Sequence, residues 1–71
     1  MKTKIAEYRK KAHLTQKQAA EALGIGERLF QSYEYGTVLP SVATGIRIAK
    51  LLKTTVEELY PEEELAPLSG Q

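Results

Sequence analysis

The run ERLFQSYEY, from Glu27 to Tyr35, carries the side chains in this sequence best suited to recognising another molecule. Read as a helix, it turns Phe30 and Tyr33 inward and presents Glu27, Arg28, Leu29, Gln31 and Ser32 outward. An exposed Arg28 can hold guanine O6 and N7 in a bidentate fork. Glu27 can accept a hydrogen bond from cytosine N4, and Leu29 can touch a thymine methyl. Taken alone, Glu27 and Arg28 are ordinary surface charges; their surroundings decide whether they read DNA.

Other chemistries find little to work with. His13 is the only histidine and there is no cysteine, so no thiolate metal site and no disulfide framework is available. His13 reads as a loop residue. The carboxylates gather toward the end of the chain, where a solvated face is the simpler reading than a general-acid pair. Gly24-Ile25-Gly26 is too short to cradle a phosphate and no Lys-Ser or Lys-Thr follows it. No nucleophile–base constellation is present, so an enzyme is not expected.

The elements that must position the run are marked by their punctuation. Thr3 can cap a first helix, with Ile5, Tyr8 and Ala12 at helical spacing. Thr15-x-x-Gln18 predicts a capping box opening a second helix, with Ala19, Ala20 and Leu23 inward. Gly24 can end that helix in the left-handed conformation, and Gly26 can cap the third, which runs to Tyr35 and stops at Gly36. Ser41 caps a fourth helix, predicted to bury Val42, Ile46, Ala49 and Leu52, with Ile48 and Leu51 beside them. Thr55-x-x-Glu58 predicts a second capping box and a brief fifth helix through Leu59 and Tyr60, ended by Pro61. Two short helices joined by a tight turn have the shape of a helix-turn-helix, whose second helix fits the DNA major groove. The expected fold is all-α: a compact five-helix bundle containing a helix-turn-helix. Residues 1–60 form the domain, and residues 61–71 an acidic C-terminal tail, disordered or part of a dimer contact.

With 71 residues the core is small and stability modest. No apolar run approaches the ~20 residues of a membrane span, and the basic N-terminus lacks the apolar stretch of a signal peptide. A cytoplasmic, non-membrane location is therefore expected. Net charge is only +1, but its distribution is uneven. Lys2, Lys4, Arg9, Lys10, Lys11 and Lys17 crowd the first part against Glu7 alone. Glu57, Glu58, Glu62, Glu63 and Glu64 fill the last part with no basic residue after Lys53. Such polarity suits a protein that turns one end toward phosphate, and equally an unevenly charged solvated surface.

Leu14-Thr15-Gln16, Leu23-Gly24-Ile25, Tyr33-Glu34-x-Gly36 and Pro40-Ser41 stand at the spacing of the lambda-repressor-like, or Cro/CI (xenobiotic-response-element), helix-turn-helix family. The resemblance covers roughly residues 4–60, and several islands at fixed separations make it specific. It implies a five-helix DNA-binding domain, usually a transcriptional regulator and often dimeric. By position, it implies that Gln16 holds a DNA phosphate and braces the recognition helix. It further implies that Glu27, Arg28 and Ser32 contact bases, and that Lys17 and Gln31 fall where phosphate or peripheral base contacts are made. Arg9 and Glu34 match a salt bridge between the first helix and the end of the third. Three departures stand out. Gly26 replaces the Ser or Thr that many relatives use as a cap. Leu29 is apolar where small or polar residues are common. Thr37-Val38-Leu39 lacks the Lys or Arg that relatives often set against phosphates, so clamping there comes from backbone amides or not at all, which predicts weaker binding and a shallower salt dependence.

The function expected is that of a sequence-specific DNA-binding regulator, a repressor, acting without a cofactor. It would bind a palindromic double-stranded operator as a homodimer through Val56, Leu59, Tyr60, Leu65 and Leu68. The competing expectation is an antitoxin or protein-interaction module on the same fold, with a protein partner such as a toxin.

Overall fold

A computed structural model describes residues 3–60. The acidic tail, Leu65, Leu68 and the stop at Pro61 lie outside the described residues. Five helices follow in order: α1 (Ile5–Lys11), α2 (Gln16–Leu23), α3 (Glu27–Tyr35), α4 (Val42–Leu51) and α5 (Val56–Leu59). No strand occurs among the described residues. Every predicted helix is present.

Local chemistry sets most of the boundaries. The Thr15 hydroxyl accepts from the Gln18 amide, and the Gln18 side chain accepts from the Thr15 amide, so both arms of the capping box form. Gly24 and Gly36 end α2 and α3 at φ 73° and 78°, where a Cβ would be strained. Each is followed by an amide that reaches back into the helix: Ile25 to Ala20 O and Thr37 to Ser32 O. Ser41 caps α4 by accepting from the Thr44 amide.

Two caps differ from expectation. Lys4, not Thr3, is the N-cap of α1. The Thr3 hydroxyl still accepts from the Ile5 amide, but it donates to Glu34 O at 2.7 Å, so it joins α1 to the end of α3. At α5, Thr55 accepts from the Glu58 amide, yet Glu58 does not close the box. Its Oε1 instead accepts from the Tyr8 hydroxyl at 3.1 Å. A long-range partner has displaced the local one.

The core joins Ile5 of α1, Ala19, Ala20 and Leu23 of α2, Phe30 and Tyr33 of α3, Ile48, Ala49 and Leu52 around α4, and Leu59 and Tyr60 around α5. Phe30, Ile5, Ile48 and Leu59 are its largest fully buried side chains. Along α4 the inward face is Gly45–Ile48–Ala49–Leu52, not the face through Val42 and Ile46. Val42 is 81 % exposed and Ile46 is also exposed. The helix is apolar on most sides, so hydrophobic spacing alone does not fix its rotation. Leu59 and Tyr60, expected on a dimer surface, are instead buried in this core, and only Val56 of the three stays exposed. The chain closes where the Lys4 amide donates to Leu59 O at 2.9 Å, tying the start of α1 to the end of α5.

Two measurements check this arrangement. Ile48→Ala is expected to cost about 2–5 kcal/mol in urea unfolding, and Val42→Ala to stay within about 0.5 kcal/mol of wild type. The Tyr60 hydroxyl is buried without a hydrogen-bond partner among the described residues. Burial, with a smaller contribution from Tyr33, raises its pKa above the ordinary 10.0. Above that pH the unfolded chain releases a proton that the folded chain keeps, so stability falls as pH rises. Tyr60→Phe should match or exceed wild-type stability at pH 7, because no hydrogen bond is lost, and should lose less of it above pH 10.

Candidate nucleic-acid interface

The candidate surface is built on the α2–turn–α3 unit. The capping box leaves the Gln16 and Lys17 amides at the open end of α2, beside the exposed Lys17 side chain. Such an end carries partial positive charge and suits an anion. Gly26 starts α3 in an extended conformation with no side-chain cap. At the other end of α2, Arg47 Nη2 donates to Leu23 O at 3.0 Å, adding a cation where the helix dipole is negative. No sequence pattern pointed to Arg47, because its partner lies 24 residues away.

A chain of polar side chains fixes α3 to its neighbours. Glu34 is only 6 % exposed. Arg9 Nε donates to its Oε2 at 2.5 Å, and Arg9 Nη1 donates to Leu14 O at 2.8 Å. Gln16 Nε2 donates to Glu34 Oε1 at 2.8 Å, and Gln31 Nε2 donates to Gln16 Oε1 at 3.1 Å. Both carboxylate oxygens are thus satisfied, and with Thr3 bonded to the Glu34 carbonyl, α1, α2 and α3 meet at one residue. A buried pair of this kind adds little net stability, but losing either partner strands a charge and costs about 3–5 kcal/mol.

The opposite face of α3 is open. Glu27, Arg28 and Leu29 are exposed, Gln31 and Ser32 partly so. Neither Glu27 nor Arg28 makes a side-chain ion pair among the described residues. The Ser32 hydroxyl donates to Arg28 O at 3.3 Å within its own helix, leaving its oxygen as an acceptor. Tyr35, 66 % exposed, stands on the same face and was not singled out from the sequence. Its spacing from Arg28 and Ser32, i+7 and i+3, was the available signal. In the loop after α3, the Thr37 and Val38 amides both turn back to Ser32 O, at 3.1 and 3.4 Å. Neither is therefore offered to a phosphate, which removes two of the backbone donors that the uncharged loop had left as its only means of clamping one.

Comparison with known proteins gives this geometry a family. A helix-turn-helix family model matches residues 5–59. An uncharacterized HTH-type transcriptional regulator of Archaeoglobus fulgidus is 31 % identical over 92 % of this chain and 94 % of its own length. Another, from Methanocaldococcus jannaschii, is 31 % identical over 90 % of this chain and 97 % of its own length. The cryptic phage CTXphi transcriptional repressor RstR of Vibrio cholerae is 34 % identical over 83 % of this chain, which spans about half of that protein (53 %). No solved structure matches the chain. The chain belongs to the Cro/CI-type helix-turn-helix family.

The unsupported start of α3 can be strengthened. Among the described residues nothing lies within 4 Å of where a Gly26 Cβ would stand, and its φ of −73° suits any residue. Gly26→Ser adds a capping hydroxyl and restricts the unfolded chain. The thermal transition should rise by the equivalent of roughly 0.5–1 kcal/mol.

Proposed function

We propose that this chain, a helix-turn-helix transcriptional regulator, acts as a repressor that reads the DNA major groove with α3. The observation that carries this reading is the division of α3 into two faces. Phe30, Tyr33 and Glu34 lock one face into the bundle, while Glu27 and Arg28 stand exposed on the other, with no ion pair among the described residues. Arg28 serves as a guanine reader, Glu27 as an acceptor for cytosine N4, Leu29 as a thymine-methyl contact and Ser32 as a further base contact. Lys17 and the open end of α2 hold the flanking phosphate, and the free N–H of Gln16 adds a donor there. The named activity of one relative, RstR, favours repression over activation.

One α3 spans only a few base pairs, so specificity calls for a homodimer on a palindromic operator, with half-sites about 34 Å apart or a multiple of that. With Leu59 and Tyr60 buried, the dimer surface shifts to the exposed apolar residues Leu39, Val42, Ile46 and Val56. The same surface supports a second reading, an antitoxin or interaction module that covers it with a protein partner such as a toxin. Among the described residues no helix is long and apolar enough to cross a membrane. For a regulator that must meet DNA directly, the proposed location is the cytoplasm.

Arg28→Ala distinguishes base reading from phosphate holding. It should weaken binding to the cognate operator by about 1–3 kcal/mol and relax preference at one base pair, measured by fluorescence titration against single-substitution duplexes. An equal loss on every duplex would make Arg28 a phosphate contact.

A further inference from the structure

The polar chain behind α3 has a direction, and that direction reaches the DNA-facing side. A carboxylate held by a guanidinium offers acceptors only, so Glu34 Oε1 obliges Gln16 to present its NH2 group inward. Gln16 must then show its carbonyl Oε1 to Gln31, and Gln31 must answer with its own NH2. The orientation of each amide, usually free to flip, is thus dictated in sequence by one buried charge. Gln31 is half-exposed, and its side chain makes no other hydrogen bond among the described residues. Its carbonyl Oε1 and one N–H remain to face outward. When Gln16 takes the N–H trans to the carbonyl, the remaining pair lies along one edge of the amide. In the major groove that donor–acceptor edge matches adenine, which offers N6–H as donor and N7 as acceptor.

We propose that Gln31 is a base-reading residue that selects adenine, its amide set in the adenine-accepting orientation by Glu34 acting through Gln16. This rests on α3 being the reading helix, and it replaces the phosphate contact that the position of Gln31 suggests. Gln16 and Glu34 are positioning residues: they touch no base but fix which edge of Gln31 meets it.

The test is selection of binding sites from random-sequence duplexes by the full chain, by Gln31→Ala and by Gln16→Ala, with folding of each checked by circular dichroism. The wild-type profile should require adenine at one position per half-site. Gln31→Ala should lose preference at that position alone. Gln16→Ala should lose it at the same position, together with an even drop in affinity from the lost phosphate donor. In wild type, an adenine analogue with carbon in place of N7 at that position should lower affinity roughly ten-fold, while leaving Gln31→Ala unaffected. A Gln31→Ala profile identical to wild type, or an even loss over all duplexes, overturns the proposal. Adenine preference retained in Gln16→Ala overturns the role of the polar chain. A wild-type chain that selects no sequence at all defeats the reading of α3 itself, a result separate from the others.

Discussion

A carboxylate with almost no access to water has to be fully satisfied, and Glu34 places that demand at the point where three helices meet. Arg9 answers from α1, Gln16 from α2, and Thr3 bonds the backbone of the same residue. Each answer fixes a distance between elements that apolar contact alone would leave looser, because side chains such as Ala19, Ala20 and Phe30 constrain spacing more than rotation. The net energy of such a pair is small, since desolvation offsets most of the attraction. Its contribution is geometric: α3 cannot roll or slide without stranding a buried charge. A helix that reads bases within hydrogen-bond tolerance needs that restraint.

The rest of the unit divides its labour around this point. α3 has only nine residues, and its inward stripe is taken by Phe30, Tyr33 and Glu34. The outward stripe is thereby left to Glu27, Arg28 and Ser32, whose side chains tie no other element among the described residues, together with apolar Leu29. α2 sets its open end beside that stripe, held by a capping box that leaves two amides free for an anion. Arg47 supports the far end of α2. The loop after α3 turns its Thr37 and Val38 amides inward and carries no charge. In the proposed function, phosphate contacts would accordingly be concentrated at α2, with a lower electrostatic share of binding and more weight on base contacts.

How much of this could be read from the residues depended on the range of the interaction. Thr15 with Gln18, Gly24, Gly36 and Ser41 act within one turn of chain, and the helices they bound came out where their chemistry placed them. The Thr55–Glu58 box is not closed, and Glu58 Oε1 accepts from Tyr8, a partner 50 residues away that local spacing does not mark. The rotation of α4 was missed because Val42, Ile46, Ile48 and Leu51 leave no clean polar face, and the inward stripe runs through Gly45, which carries no hydrophobic signal. Arg9 and Glu34 could be paired only through family resemblance. The continuation through Gln16 to Gln31 needed coordinates, since amide orientation is a property of a network and not of spacing.

The most direct measurement is the map of backbone and side-chain amide shifts in isotope-labelled protein as an operator duplex is added. The account predicts the largest changes at residues 27–32 and at the Gln16 and Lys17 amides, with the Gln16 and Gln31 side-chain amides staying ordered in the complex. Changes concentrated around Val42 and Val56, with α3 silent, would contradict it.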